Sequence, residues 1–367
     1  MVKARARLSR RLIPAVAALL GGLAWSAGDG VETVQPIGLR QPAAVSLTEA
    51  GRIEQTILRL ADGFDGEVGI AVTRLDAPWT VSVNGERRFP QQSVSKLWVS
   101  MAVLAAADRG ELSLDESVTV TKADLSIFHQ PLRKLVGEGS YTTTLRALMK
   151  GALQQSDNAA NDALVRRVGG PFAVQVAIVG RNLDGVRFGP GERTMQAEAA
   201  GLTWRPEYSF GRAFWEDREA LPVETRKAAL EGYLADPSDG ATPIGIVNGL
   251  GRLYRGELLS PEATSLMLDT MAGSVTGAGR LRGGLAPGWR ILHKTGTGQV
   301  MGKLATGYND VALLIAPDGR VYAVAVLIGS TRQPLGVRQE LMSAVTRAIT
   351  GAPEPEAAVG LEEPDEQ

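Results

Sequence analysis

The 367-residue chain contains no cysteine and only two histidines, His129 and His293. The first absence excludes disulfides, thiol catalysis, thiolate metal sites and a lipid-modified cysteine anchor. The second leaves little with which to build a Ser-His-Asp triad or a multi-histidine metal centre. No metal and no cofactor are therefore expected. An excess of one charge is missing too: 39 basic against 40 acidic residues leave a net charge of −1, which favours neither nucleic acid nor an anionic membrane as a partner. No internal repeat is visible, and no apolar run is long enough to span a bilayer. A chain of this length can bury a sizeable core without staples.

The amino terminus has the organisation of an export signal. Lys3, Arg5, Arg7, Arg10 and Arg11 form a basic stretch without an acid, Leu12 to Ala24 is apolar, and Ala24-Trp25-Ser26 offers small residues at the positions a signal peptidase reads. Residues 1–27 are expected to be removed, which makes the protein periplasmic or secreted with no stable membrane anchor. Ser9-Arg10-Arg11-Leu12-Ile13 is also a weak form of a twin-arginine signal. Residues 28–47 form a linker, residues 48–351 one catalytic domain, and residues 352–367 a tail with six acids, no bases and three prolines that is expected to be disordered.

Within the domain, Leu97 to Ala107 has Ser100 as its only polar side chain, so a helix there is apolar on every face and belongs at the centre of the fold. Pro90 and Gly110 bracket it, placing its start near Ser93. A serine at a helix start lies beside unpaired backbone N–H groups and the positive end of the dipole. Lys96, one turn on, shares its face. Desolvation there lowers a lysine's pKa and lets it act as a base toward the hydroxyl. Alone, this Ser-x-x-Lys reads equally as a cap and a snorkelling lysine.

Two more stretches complete a set. Ser156-Asp157-Asn158 opens a helix carrying Ala159, Ala160, Ala163, Leu164 and Val165, and the strand-like Gly288 to His293 delivers Lys294-Thr295-Gly296-Thr297-Gly298. Strands are expected at 68–73, 80–83, 310–316 and 320–329, and helices from Thr48, from Thr144 to about 154, and at 337–350. The three motifs in this order, each in its structural context, resemble those of the penicillin-recognising serine enzymes, most closely the class A β-lactamases. The resemblance covers about residues 48–351. It implies a two-lobed α/β protein with a five-stranded antiparallel sheet and flanking helices (48–88 and 276–351). An all-helical lobe (89–275) completes it, with the site in the cleft between.

The resemblance also implies roles. Ser93 is the nucleophile, Lys96 activates it, and Ser156 relays a proton to the departing nitrogen. Asn158 holds the substrate's amide side chain. Lys294, Thr295, Gly296 and Thr297 bind its carboxylate side, and the N–H groups of Ser93 and Thr297 form the oxyanion hole. Class A enzymes add a glutamate that activates water on the acyl-enzyme. Glu192, 36 residues past Ser156 in Gly189-Pro190-Gly191-Glu192, is the candidate. Gln196 stands where the family has a water-holding asparagine. The usual Glu-x-x-Leu-Asn signature is missing, and Glu198 and Glu207 are rivals.

Two departures stand out. An aromatic-rich insertion spans about 204–239. Asn309 occupies the strand position where many relatives carry a carboxylate-binding arginine, with Lys303, Arg332 and Arg338 as possible substitutes. Phe128 or His129 falls at the family's aromatic gate, and His293 is expected to be a packed strand residue. The implied protein is a monomeric β-lactam hydrolase acting on a small-molecule substrate. A D-alanyl-D-alanine peptidase acting on peptidoglycan-like peptides, and a sensor that acylates once and stalls, share the motifs.

Overall fold

The computed structural model describes residues 48–354. The expected signal (1–27), the linker (28–47) and the acidic tail beyond Glu354 lie outside the described residues.

The first helix, α1 (Glu49–Asp62), starts where the Thr48 hydroxyl accepts the Gly51 amide, and it buries Ile53 and Ile57, one turn apart. β1 (Gly66–Arg74) and β2 (Trp79–Val83) form a hairpin, and β3 (Phe89–Pro90) leads into a single 3-10 turn, Gln92–Ser95. The central helix α2 (Lys96–Asp108) then begins three residues later than the sequence suggests. It is buried on all sides from Lys96 to Ala106, as a helix without a polar face must be.

Around α2 the chain wraps β4 (Ser117–Thr121), α3 (Leu132–Val136), β5 (Ser140–Thr144), α4 (Leu145–Gln154), α5 (Asn158–Arg167) and α6 (Pro171–Val179). The insertion region follows α7 (Glu192–Ala199) and consists of a 3-10 turn, Pro206–Ser209, with α8 (Ala213–Ala220) and α9 (Val223–Ala235). β6 (Gly240–Ala241) pairs with β3, and α10 (Pro243–Tyr254) and α11 (Pro261–Ala272) return the chain to the sheet. There β7 (Arg290–Gly296), β8 (Val300–Met301), β9 (Leu304–Ile315), β10 (Val321–Thr331) and α12 (Leu335–Thr350) complete the fold.

The sheet runs in the antiparallel order β2-β1-β10-β9-β7, with the two-residue β8 pairing the start of β9. Period-2 alternation divides it between two cores. Ile70, Val72, Val324 and Val326 face α1 and α12, where Ile53, Ile57, Val345 and Ile349 cover them. Ala71, Ala325 and Leu327 face the other way, onto the cluster that contains α2, α4, α5 and α10. A sheet edge and a buried helix thus meet where β7 passes the 3-10 turn. Lys294 to Gly296 lie inside β7 rather than just beyond it.

Candidate active site

The turn that carries Ser93 is held in a conformation its sequence does not favour. Gln92 has φ +53°, in the left-handed region. Its amide donates to Asp239 Oδ2 at 2.6 Å, while its side chain accepts from Gln196 Nε2 (2.7 Å) and donates to the Tyr233 hydroxyl (2.7 Å). On the other side Asn309 Nδ2 donates to the carbonyls of Pro90 and Gln91. These bonds arise from residues more than a hundred positions away, and they fix the backbone through which Ser93 is presented. β7 comes so close that a Cβ on Gly296 would stand 2.4 Å from the Gln91 carbonyl oxygen.

Lys96 reaches from the first turn of α2 into the same space. Its Nζ donates to Ser93 Oγ at 2.8 Å, to the Ser156 carbonyl at 2.7 Å and to Asn158 Oδ1. Complete burial holds its ammonium below the ordinary lysine range, against the pull of Glu192, Asp157 and Asp162. Ser156, at φ +62°, turns its hydroxyl between two ammonium groups, 2.9 Å from Lys294 Nζ and 3.4 Å from Lys96 Nζ. Lys294 is pushed well below its usual range by burial first and then by the charges of Lys96 and Arg280. Ser93, Lys96, Ser156 and Lys294 therefore form one hydrogen-bonded line. Asn158 is turned inward, its Oδ1 on Lys96 and its Nδ2 on the Ile127 carbonyl at 2.8 Å.

Glu192 is the first residue of α7 and is buried. Burial raises its pKa and the Lys96 charge opposes the rise. Gln196, one turn on, donates to Glu192 Oε1 at 2.9 Å, and the Gln299 amide packs onto Gln196 in turn. The rival carboxylates Glu198 and Glu207 are both exposed. Asp239 is buried beyond this network, and burial drives its pKa up to about 7 although Tyr233 and the Gln92 amide both stabilise its anion.

Arg280, rather than Lys303, Arg332 or Arg338, sets a guanidinium at the end of β7. It donates to Thr297 Oγ1 at 2.6 Å and to the carbonyls of Gly296 (2.9 Å) and Asn309 (2.7 Å). Its charge sits 3.8 Å from the centre of the Tyr308 ring. Lys303 and Arg332 are exposed, and Arg338 sets its guanidinium 4.9 Å from the centre of the Tyr308 ring. No local motif around Arg280 marks it in the sequence. Thr295 Oγ1 pairs with Thr276 Oγ1 at 2.8 Å.

Neither histidine enters this line. His293 is buried between Arg282, which donates to its Nε2, and Asp310, which accepts from its Nδ1. That pattern is the neutral imidazole with the proton on Nδ1. Asp310 also accepts the Leu281 amide, so the pair ties β7 to the turn that carries Arg280. His129 is exposed and bonds the Gln155 carbonyl.

A buried lysine beside a serine hydroxyl, a second serine between two ammonium groups, a guanidinium at the strand end and a buried carboxylate are parts for acyl transfer followed by hydrolysis. The model of the β-lactamase enzyme family matches residues 52–352. β-Lactamase VEB-1 of Pseudomonas aeruginosa is 23% identical over 77% of this chain and 84% of its own length. β-Lactamase CTX-M-8 of Citrobacter amalonaticus is 26% identical over 87% of this chain and 95% of its own. Among solved structures, a β-lactamase from Chitinophaga pinensis superposes with a TM-score of 0.68 at 27% identity, covering 82% of this chain and 98% of that one.

Proposed function

Since the chain belongs to the β-lactamase enzyme family, as a class A serine member, we propose that it opens β-lactam rings by acylating Ser93 and hydrolysing the ester with a water held by Glu192. The supporting observation is the continuous line from Ser93 through Lys96 and Ser156 to Lys294, with the buried Glu192 carboxylate linked by Gln196 to Gln92, the residue before Ser93.

Ser93 Oγ attacks the lactam carbonyl as its proton passes to Lys96 Nζ, the adjacent base whose charged form burial disfavours. The oxyanion forms against the N–H groups of Ser93 and Thr297, where one such donor is typically worth about a hundredfold or more in turnover. The C–N bond breaks as Ser156 hands its proton to the ring nitrogen and regains one from Lys96, 3.4 Å away. Lys294, Thr297 and Arg280 receive the substrate carboxylate. In the second half, Glu192 takes a proton from the water that attacks the ester, Gln196 helps to hold that water, and as the ester C–O bond breaks the same proton returns from Glu192 by way of Lys96 to the departing Ser93 oxygen. No cofactor or metal has a part in these steps.

In this reading residues 48–88 and 276–351 act as one lobe and residues 89–275 as the other. The enzyme is exported to where its substrates are, by the basic and apolar segment at residues 1–27. No helix among the described residues is long and apolar enough to cross a membrane.

Steady-state hydrolysis of a chromogenic cephalosporin, with intact mass followed in the same tube and Ser93→Ala as control, tests the proposal. Many turnovers per enzyme that vanish in the control are expected. A single stoichiometric mass gain on Ser93 without turnover would replace the β-lactamase by a penicillin-binding peptidase or sensor.

A further inference from the structure

The insertion following α7 builds a small core of its own. Tyr208 and Phe214 are buried there with Ile127 and Ala200, apart from both main clusters. Tyr208 meets Phe214 edge-on at 5.6 Å, and Phe214 meets Phe128 edge-on at 5.1 Å. A helical excursion that served only to pack itself would end there. Trp215, the next residue of α8, instead keeps 40% of its surface open while its ring lies 5.6 Å from that of Phe128, tilted by 36°.

Both ends of this ring pair are tied to the reaction centre. Phe128 follows Ile127, whose carbonyl accepts Asn158 Nδ2, and Asn158 Oδ1 in turn accepts Lys96. One turn beyond Trp215, Arg218 sets its guanidinium 5.8 Å from the Trp215 ring centre and donates to the Val300 carbonyl at 2.9 Å. Val300 begins β8, directly after Gln299, which bonds Gln196. α8 therefore reaches from the Phe128 loop on one side to the start of β8 on the other. Thr297, whose N–H completes the oxyanion hole, is three residues from the tether.

We propose that α8 adds to the substrate site, Trp215 extending the aromatic gate expected at Phe128 into a wall for the flat, ring-bearing acylamino substituent of a β-lactam and Arg218 holding Trp215 in place. This rests on the β-lactamase reading and adds to it which substituents the enzyme prefers. Planar rings stack on an exposed indole with offset or edge-on geometry, and an indole already braced by Phe128 and a guanidinium loses little freedom when it is covered. The wall contacts the substituent in the Michaelis complex and the transition state alike, so it acts on KM rather than kcat.

The experiment compares benzylpenicillin, which carries a phenylacetyl group, with 6-aminopenicillanic acid, which carries none, on wild type, Trp215→Ala, Trp215→Phe and Arg218→Ala. Trp215→Ala is expected to raise KM for benzylpenicillin about fivefold to tenfold with kcat unchanged, and to leave 6-aminopenicillanic acid unaffected. Trp215→Phe, which keeps a ring, restores most of the loss, and Arg218→Ala shows a smaller change with the same substrate selectivity. Equal changes for both substrates, or none for either, would overturn the wall while leaving the hydrolase intact. Wild-type protein that turns over neither substrate would overturn both.

Discussion

Replacing Asp239 by asparagine tests how the nucleophile turn is held. The carboxylate accepts the Gln92 amide on Oδ2 at 2.6 Å and the Tyr233 hydroxyl on Oδ1 at 2.9 Å, and its pKa is pushed up to about 7 from the 3.8 of an ordinary aspartate. Burial is the main cause, and the nearby Glu192 charge adds to it. Between these two pKa values the folded protein holds a proton that the unfolded chain has released, so stability falls as pH rises. The contribution is complete below about pH 4 and lost by about pH 7. Each pH unit in the window is worth about 1.4 kcal/mol, which makes the total at most about 4 kcal/mol.

Asparagine fills the same space, still offers one oxygen to the Gln92 amide, and has no charge to bury. Urea unfolding of wild type and Asp239→Asn at half-unit steps from pH 4 to pH 7.5 gives two curves whose difference reports Asp239 together with its coupling to Glu192. Wild type should lose stability relative to the variant as pH rises, by roughly 2–4 kcal/mol across the window. Parallel curves would show that Asp239 titrates normally and that its burial is not what sets its charge.

Glu192→Gln keeps the bulk beside Gln196 and removes the base, so acylation should proceed while deacylation slows about 10²- to 10⁴-fold; intact-mass spectra would show the adduct accumulating on Ser93, and ordinary turnover would sink the assignment. Arg280→Ala removes a charged donor from Thr297 and should raise KM for substrates with a free carboxylate about tenfold to a hundredfold, with little effect on their methyl esters. Both would change alike if Arg280 were merely structural. Gly296→Ala drives a methyl group against the Gln91 carbonyl, where backbone on both sides must shift. Single-turnover acylation and the melting temperature should both drop, and a variant that keeps wild-type acylation would show the strand to be more compliant than its packing implies.

Much of the framework was legible because it is local. The apolar run Leu97 to Ala107, the strands at 310–316 and 320–329, and each of the three short motifs carry their signal within a few residues, and the fold places Ser93, Lys96, Ser156 and Lys294 in one hydrogen-bonded line. What escaped is what depends on distant partners. α2 starts at Lys96 rather than near Ser93 because Gln92 adopts a left-handed conformation stabilised by Asp239, Tyr233 and Gln196. Nothing in the sequence around Gln92 records those partners. Arg280 escaped for a similar reason, since it reaches Thr297 from a turn whose position is set by Asp310 accepting the Leu281 amide. The aromatic insertion was visible as composition, but its placement beside Phe128 and Val300 was not.

Asn309 has a consequence for how such a chain can change over generations. Its amide group serves three backbone partners at once, donating to Pro90 and Gln91 and accepting from Ile328. An arginine arriving at 309 would release all three, while an arginine lost from 280 would leave the Gly296 and Asn309 carbonyls without their donor. Moving the guanidinium from one position to the other therefore passes through an intermediate that lacks either the anion clamp or the nucleophile turn. Each half of the exchange alone removes contacts the other residue does not replace, so asparagine in the strand and arginine in the preceding turn are expected to be exchanged together.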